Sequence, residues 1–377
     1  MNVLFWVLGF ASIIVWLFMG TVYFKAMSKK PIFRGSPYKD RDNIYPSLSI
    51  VVPACNEEES VEQTINRLLV QDYPNLEVIV VNDRSTDNTG IILEKLKMKY
   101  PQLKVVNITD LPSNWLGKNH AIHQGVQHAT GEWLLLTDAD VMFSPDSLKK
   151  TISYSLENKI DHLTILPDIV PRGFLYSGFF SFFIFSIIFM FATKKSAGFA
   201  TFNLLKRSTY QAIGGYKAIA MQVVDDFSIG QLVVKNGYKQ KLGYSKGLIS
   251  VKFYDSLSDA FKGFEKNFFT GVDYNVIGTL AMCWSILFIH VYPFVGLFFG
   301  PEWARILCGL SVIIVFATYH YGNRYINAPL INFLIHPISA LLYIGVLLNS
   351  MVKTVRRGGI NWRGTVYPLE ELRKHTL

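Results

Sequence analysis

Charge is scarce in this chain: 17% of its 377 residues are Asp, Glu, Lys or Arg, while 50% are hydrophobic. That is too apolar for an ordinary soluble enzyme of this length, which predicts two or three domain-sized units. Acids are scarcer than bases, 28 against 37, for a formal net charge of +9. A basic chain can bind nucleic acid. Here the Lys and Arg are not gathered into a stripe and no groove-reading motif accompanies them, so no nucleic-acid partner is expected. They stand beside apolar segments instead, Lys25, Lys29, Lys30 and Arg34 after the first and Lys353, Arg356 and Arg357 after the last. Cytoplasmic flanks of membrane spans, facing an anionic leaflet, have this pattern. Cysteine is also sparse. Cys55, Cys283 and Cys308 imply no disulfide framework and fit a reducing compartment. No HExxH accompanies His120, His123 and His128, which argues against a zinc site there. A full Walker pattern, a Gly-x-Ser-x-Gly elbow, internal repeats and low-complexity tracts are all missing.

What is present divides along the chain. Residues 1–24 are an apolar, uncharged run that can cross a hydrocarbon core of about 30 Å. Its positive charges follow the run rather than precede it, so an uncleaved anchor with the chain cytoplasmic from residue 25 is expected rather than a signal peptide. After a linker at 25–46, the region 47–275 reads as α/β. Leu48–Cys55, Leu76–Asp83, Leu103–Thr109, Trp133–Asp140 and His162–Val170 are short β-rich apolar runs. Amphipathic stretches near 58–70, 87–100, 119–129 and 145–158 separate them, which predicts βαβ units and a mostly parallel, Rossmann-like sheet. Ligands of such sheets bind beyond the carboxyl ends of the strands. The apolar run 174–193 is long enough to span, yet it separates two acidic motifs assigned below to one site. It is therefore expected to lie in the interface or to line an acceptor tunnel. Residues 276–352 hold three more candidate spans, 276–299, 302–320 and 328–352, with a turn at Gly300-Pro301. Three crossings would leave the basic tail 353–377 outside, whereas its charges favour the inside. One segment is then re-entrant, and the last, broken at His336-Pro337, is the best candidate. A multi-pass cell-membrane protein with a cytoplasmic catalytic domain results.

The polar motifs fall at strand ends. In Asp138-Ala139-Asp140, two carboxylates flank one small residue just after the Trp133 strand. They can present hard oxygens to Mg²⁺ or Mn²⁺ on a diphosphate. Asp40-Arg41-Asp42 has the same spacing but lies in the polar linker and follows no strand. Pro53-Ala54-Cys55-Asn56-Glu57 closes the first strand, since Pro is excluded from central strand interiors, and aims polar groups at the ligand crevice. Asp83, in Asn82-Asp83-Arg84-Ser85-Thr86-Asp87, can accept from a base N–H or a ribose hydroxyl, while Asp87 suits helix capping. Gly117-Lys118 precedes a helix, where a Lys suits a phosphate. Asp225-Asp226 opens an amphipathic stretch with Ile229, Leu232 and Val233 on one face. Acids there gain from the helix dipole, or one of them serves as general base on an acceptor hydroxyl, and the residues alone support both readings.

Taken in order, these motifs resemble the family 2 glycosyltransferases with a GT-A fold: Pro-x-x-Asn-Glu, Asn-Asp-x-Ser-x-Asp, Gly-Lys, the DxD strand end, Gly214-Gly215-Tyr216, and Asp225-Asp226-x-x-Ile229 leading to Gly237. The resemblance covers roughly 47–270. It implies that Pro53, Ala54, Glu57 and Asp83 hold the nucleoside of a nucleotide-sugar and that Lys118 lies near this donor. It further implies that Asp138 and Asp140 hold sugar and metal, that Gly214, Gly215 and Tyr216 serve the acceptor, and that Asp226 is the base of an inverting displacement. The family's Gln-x-x-Arg-Trp motif is missing. Lys266, in Phe261-Lys262-Gly263-Phe264-Glu265-Lys266-Asn267, can stand for the Arg, but no aromatic follows it. Trp115-Leu116-Gly117-Lys118-Asn119-His120-Ala121 and the tail Trp362-Arg363-Gly364-Thr365-Val366-Tyr367 are similar to bacterial carotenoid-acid glycosyltransferases of the diaponeurosporenoate type. Hopanoid-associated and ceramide glucosyltransferases share parts of the pattern. A lipid acceptor and a UDP- or GDP-hexose donor are thereby implied, with a polyprenyl-phosphate glycosyltransferase as the nearer alternative. A non-enzymatic transporter or scaffold is the distant one, because transporters place ionisable residues inside their spans and these spans hold few.

Overall fold

In the computed structural model the described residues are 2–28, 30–35 and 45–375. Lys29 and the Asp40-Arg41-Asp42 triplet lie outside them. Two compact units emerge: one from Lys30–Val170 and Ser196–Lys252, the other from Met1–Lys29, Pro171–Lys195 and Phe253–Thr376.

The first unit is α/β. Its strands in chain order are β1 (Ile32–Arg34), β2 (Leu48–Ala54), β3 (Leu76–Asp83), β4 (Leu103–Ile108), β5 (Trp133–Leu136), β6 (Val141–Phe143), β7 (His162–Leu166), β8 (Asp168–Ile169), β9 (Asn203–Lys206), β10 (Gln240–Lys246) and β11 (Ile249–Val251). Eight form one sheet in the order β1-β10-β7-β9-β5-β2-β3-β4, and β6, β11 and β8 form a smaller one. All pairs in the large sheet are parallel except those of β9, which runs antiparallel between β5 and β7. The continuous burial of Leu48, Ile50, Val51 and Val52 is what a strand covered on both faces requires. Pro53 is inside β2 rather than after it. It is tolerated because pairing with β5 stops at Val51, so no partner on that side lacks an N–H. The run expected as one strand over 133–140 is a strand only to Leu136, and Asp138–Asp140 sit in the turn that leads to β6.

One apolar cluster sets the position of two helices. Val51, Ile79, Val81, Leu134, Leu136 and Leu205 of the sheet meet Ala121, Ile122 and Val126 of the helix Gly117–Gln127 and Ile229 and Val233 of the helix Asp225–Lys235. Each such side chain contributes about 1.5–3 kcal/mol on burial. Gly125 allows the close approach, since a Cβ there would lie 2.4 Å from Val51 Cγ1 and 2.9 Å from Val81 Cγ2. Both helices are thus held on the same sheet face.

The second unit is helical. Five helices are long and apolar enough to cross a membrane by length and composition: Val3–Met27, Gly173–Lys194, Val276–Phe299, Glu302–Gly322 and Leu330–Arg357. The third contains a single π turn at Leu287–Val291, and the last opens with a 3₁₀ stretch, Leu330–Ile335, before Pro337 enters the α-helical first turn. The run expected at 174–193 is the most enclosed of the five, with 56% of its apolar window buried against 22–39% for the others. Phe10, Phe18, Ile277, Trp284, Phe299 and Ile313 are exposed on three of the other four, and Ile331 and Leu334 on the last. Buried polar groups in this unit pair with one another. His290 Nδ1 lies 3.1 Å from His336 Nε2, Tyr319 Oη lies 3.1 Å from His336 Nδ1, and Asn332 donates to Ser181 at 2.8 Å. Residues 253–275, grouped with the α/β region on sequence, belong here. Phe264 and Phe268 pack against Phe183, and Phe268 also packs against Tyr343. After Arg357 the chain forms a hairpin of β12 (Gly359–Trp362) and β13 (Thr365–Pro368) and a last short helix, Leu369–Lys374.

Candidate active site

The parallel strands β2, β3 and β5 release three loops at one edge of the sheet, and hydrogen bonds stitch the first two together. Asn56 Oδ1 accepts the Thr86 N–H at 2.7 Å, Asp87 Oδ2 accepts the Glu58 N–H at 3.1 Å, and Thr89 Oγ1 accepts the Glu57 N–H at 2.8 Å. Asp87 also takes the Thr89 N–H at 3.0 Å at the start of the next helix. It stands one residue before Asn88, which is the N-cap position and makes no side-chain cap bond. Asn56 and Arg84 adopt left-handed backbone, φ 54 for each, at the two exits. Ala54 is buried, Pro53 and Glu57 are half-buried, and Asn56 is exposed at the rim. Asp83 is 3% exposed, and Arg84 holds both its oxygens, at 2.8 and 3.0 Å. Nothing in the residue order announces this clamp. His120 and His123 pack against Trp115.

Lys118 joins the motifs. Its Nζ lies 2.8 Å from Asp138 Oδ1 and 3.9 Å from Asp225 Oδ2. Burial alone would lower this ammonium, but Asp138, Asp225 and Asp226 together raise it well above the ordinary lysine range, so it stays charged. Acids separated by 87 positions thus share one cation in one pocket. Asn119 fixes the far wall, since its buried Nδ2 reaches the carbonyls of Ile219 at 2.9 Å and Gln222 at 2.9 Å, just before the Asp225 helix. Asn119 lies in the Trp115–Ala121 string, but its reach of a hundred residues is invisible in the sequence.

Asp140 is half-buried. Burial first, then the charges of Asp138 and Glu57, push its carboxyl up to about 7, against the opposing pull of Lys118. This excess of negative charge fits a hard divalent cation, which carboxylate oxygens would hold. Among the described residues no group of three or more His, Cys, Asp or Glu is arranged to hold a metal. Asp138 and Asp140 would therefore leave most ligand positions to phosphate and water, as Mg²⁺ prefers.

The two neighbouring acids differ. Asp225 is 4% exposed, and its Oδ2 accepts from Tyr216 Oη at 2.8 Å as well as facing Lys118. Asp226 is half-buried and takes the Ala200 N–H at 2.9 Å. Burial, then Asp225, push its carboxyl up to about 6, a value suited to a base near neutral pH. Gly214 and Gly215 take φ 79 and 52 in the turn that seats Tyr216, and Tyr216 is itself buried. Of the three, Tyr216 holds Asp225 through its hydroxyl. Lys266 lies in the helical unit, its Nζ 3.8 Å from the Trp362 ring centroid. The aromatic missing after Lys266 in sequence is supplied from the tail hairpin.

The family model described as Glycosyl transferase family 2 matches residues 49–228. The 4,4'-diaponeurosporenoate glycosyltransferase of Staphylococcus aureus (strain MRSA252) is 24% identical over 344 residues, covering 87% of this chain and 90% of that protein. The same enzyme from strain Newman is 24% identical over 346 residues, with the same coverage. Among solved structures, the mannosyltransferase PcManGT from Pyrobaculum calidifontis, in complex with GDP-Man and Mn²⁺, is similar with a TM-score of 0.56 at 18% identity, over 93% of this chain and 98% of that one. The fold is GT-A-like, residues 49–228 form a Glycosyl transferase family 2 domain, and the chain is a glycosyltransferase.

Proposed function

We propose that this enzyme moves a hexose from a UDP- or GDP-sugar, bound with Mg²⁺ or Mn²⁺, to a lipid acceptor such as a carotenoid acid or another polyisoprenoid, with inversion at the sugar. The observation that carries the reading is Lys118, whose ammonium faces Asp138 on one side and Asp225 on the other. Asp138 on the donor side and Asp225 beside the proposed base thereby face one ammonium. Pro53, Ala54, Asn56, Glu57 and Asp83 bind the nucleoside side of the donor. Asp138 and Asp140 would hold the cation, which when bound supplies charge neutralisation for the leaving diphosphate. Lys118 adds a fixed positive charge beside it. Asp226 accepts the proton of the acceptor hydroxyl or carboxyl as its oxygen attacks the sugar carbon opposite the leaving group. Asp225 is held too firmly by Tyr216 and Lys118 for that role and orients the ammonium.

Support for a lipid acceptor comes from the exposed apolar helices and from the carotenoid acid that names the relatives. Support for a cytoplasmic catalytic unit comes from Lys25, Lys30, Arg34, Lys353, Arg356 and Arg357 at the ends of apolar helices. Strands β7 and β9, before and after the helix Gly173–Lys194, pair directly. That favours the reading in which this helix is no lone crossing between the acidic motifs.

The test is a UDP- and GDP-hexose panel with Mg²⁺, Mn²⁺ or chelator, using a carotenoid carboxylic acid and a polyprenyl phosphate as acceptors. Asp140→Ala should lose cation-dependent donor binding. Asp226→Asn should bind donor normally and lose transfer by about 10²–10⁴-fold. Full transfer by either variant contradicts the assignment, and a charged phosphosugar product in place of a neutral glycolipid selects the polyprenyl alternative.

A further inference from the structure

Three polar side chains of the α/β unit, buried His162 and Asn203 and half-buried Gln240, take no part in the chemistry above. Gln240, on β10, clasps the backbone of Ala197: its Oε1 accepts the Ala197 N–H at 2.8 Å and its Nε2 donates to the Ala197 carbonyl at 2.9 Å. The same Nε2 lies 3.2 Å from the Gly230 carbonyl and 2.8 Å from His162 Nδ1. His162 is fully buried on β7, and its Nε2 faces Asn203 Oδ1 on β9 at 3.0 Å. One tautomer suits both imidazole contacts, with Nδ1 accepting from Gln240 and Nε2–H donating to Asn203, while the two Gln240 N–H groups are shared among three acceptors. Burial holds the imidazole down at about 4, so it stays neutral across the working pH range.

The segment held by this clasp has no slack. A Cβ on Gly198 would lie 1.8 Å from the Asp226 carbonyl oxygen, and one on Gly230 would lie 1.9 Å from the Ala197 carbonyl oxygen. Residues 197–200 are therefore pressed backbone-to-backbone against the helix Asp225–Lys235. At the end of the segment the Ala200 N–H reaches Asp226 Oδ2.

We propose that Gln240, locked by His162 and Asn203, is a positioning residue for transfer, fixing residues 197–200 so that the Ala200 N–H orients the Asp226 carboxylate. This rests on the reading of Asp226 as the base. The other charged or titratable groups facing Asp226 are Asp225 on its own helix, Lys118 from the helix Gly117–Gln127 and Tyr216 from the turn before it. None of them is hydrogen-bonded to Gln240, whose direct contact with the helix Asp225–Lys235 is the Gly230 carbonyl, so a Gln240 variant acts on Asp226 only through residues 197–200 and that carbonyl. Losing a donor to a carboxylate disfavours its charged form. The acid limb of turnover should then move to higher pH.

The experiment uses the full chain in nanodiscs, with UDP-glucose and GDP-mannose as donor probes and a carotenoid carboxylic acid as acceptor, and compares Gln240→Leu, Gln240→Glu and Asp226→Asn. For Gln240→Leu, donor Kd should stay within about twofold while kcat falls on the order of 10- to 100-fold, the scale of a small misplacement of a reacting group. The acid limb should rise by about one pH unit. Gln240→Glu still accepts the Ala197 N–H but cannot donate, so it should fall between. Wild-type kcat and pH profile in both variants overturn the proposal, as does a loss of donor affinity that accounts for the loss of kcat. Should Gln240→Leu fail to fold, the acid limb of Gln240→Glu decides alone. If Asp226→Asn transfers normally, the base assignment fails. If it is inactive while the Gln240 variants are normal, only the positioning role fails.

Discussion

Both units bury polar side chains, but they settle them differently. In the helical unit His290, His336 and Tyr319 satisfy one another, as do Ser12 and Ser311 at 3.0 Å. This network serves to register helices. In the α/β unit four acids, Asp138, Asp140, Asp225 and Asp226, converge on the single ammonium of Lys118, and the surplus shows as carboxyls pushed up to about 7 at Asp140 and about 6 at Asp226. Burial of a polar group therefore does not mark a site. An unbalanced charge among buried groups does, because the missing charge describes the ligand.

The largest effect expected from that contrast is at Lys118. Lys118→Met should weaken nucleotide-sugar binding by about 30- to 1,000-fold, the usual cost of leaving buried acids without their partner, as read by calorimetry at fixed Mg²⁺. An unchanged Kd would remove Lys118 from the centre of the account. Next is pH. Asp226 must be deprotonated to accept a proton, and its raised value of about 6 places the acid limb of kcat there. Turnover should be flat above that point and fall about tenfold per unit below it. A limb near pH 4 would mean that Asp226 is not the titrating base. In the helical unit the prediction reverses in kind. His290→Leu alone should cost about 1–3 kcal/mol of stability by stranding His336, whereas His290→Leu with His336→Leu should cost less, and neither should alter donor Kd. Thermal melts in nanodiscs would show it, and a double variant no more stable than the single one would end the claim of mutual satisfaction. The smallest effect is Tyr216→Phe, which removes one hydrogen bond from Asp225. A drop in kcat of a few-fold with unchanged donor KM is expected, and an altered acceptor KM would return Tyr216 to the acceptor.

Much of this was legible in the sequence where it is local. Runs such as Leu48–Val52 and Leu76–Val81 declare buried parallel strands, and the acids and Lys118 stand at their ends or at helix starts. The five long apolar helices were equally plain from uninterrupted apolar length. What escaped is long-range. Trp133–Asp140 reads as one apolar run, yet it breaks at Leu136, where the Thr137 hydroxyl turns to the Thr201 carbonyl at 2.8 Å. The antiparallel β9 follows a 22-residue helix and gives no sign of its direction. Residues 253–275 look like the end of the α/β region because their aromatic partners, such as Tyr343, come much later. Trp362 beneath Lys266 and Gln240 beneath Ala197 are contacts that no periodicity encodes.

The central claim is that donor diphosphate and catalytic acid meet at Lys118, and one structure tests it most directly: the full chain in nanodiscs with Mn²⁺ and a bound nucleotide-sugar. The account predicts Mn²⁺ density on Asp138 and Asp140 and the sugar in the same pocket as Asp226. A nucleotide-sugar bound with its diphosphate outside the reach of Lys118, or with Asp226 turned to another cavity, would contradict it.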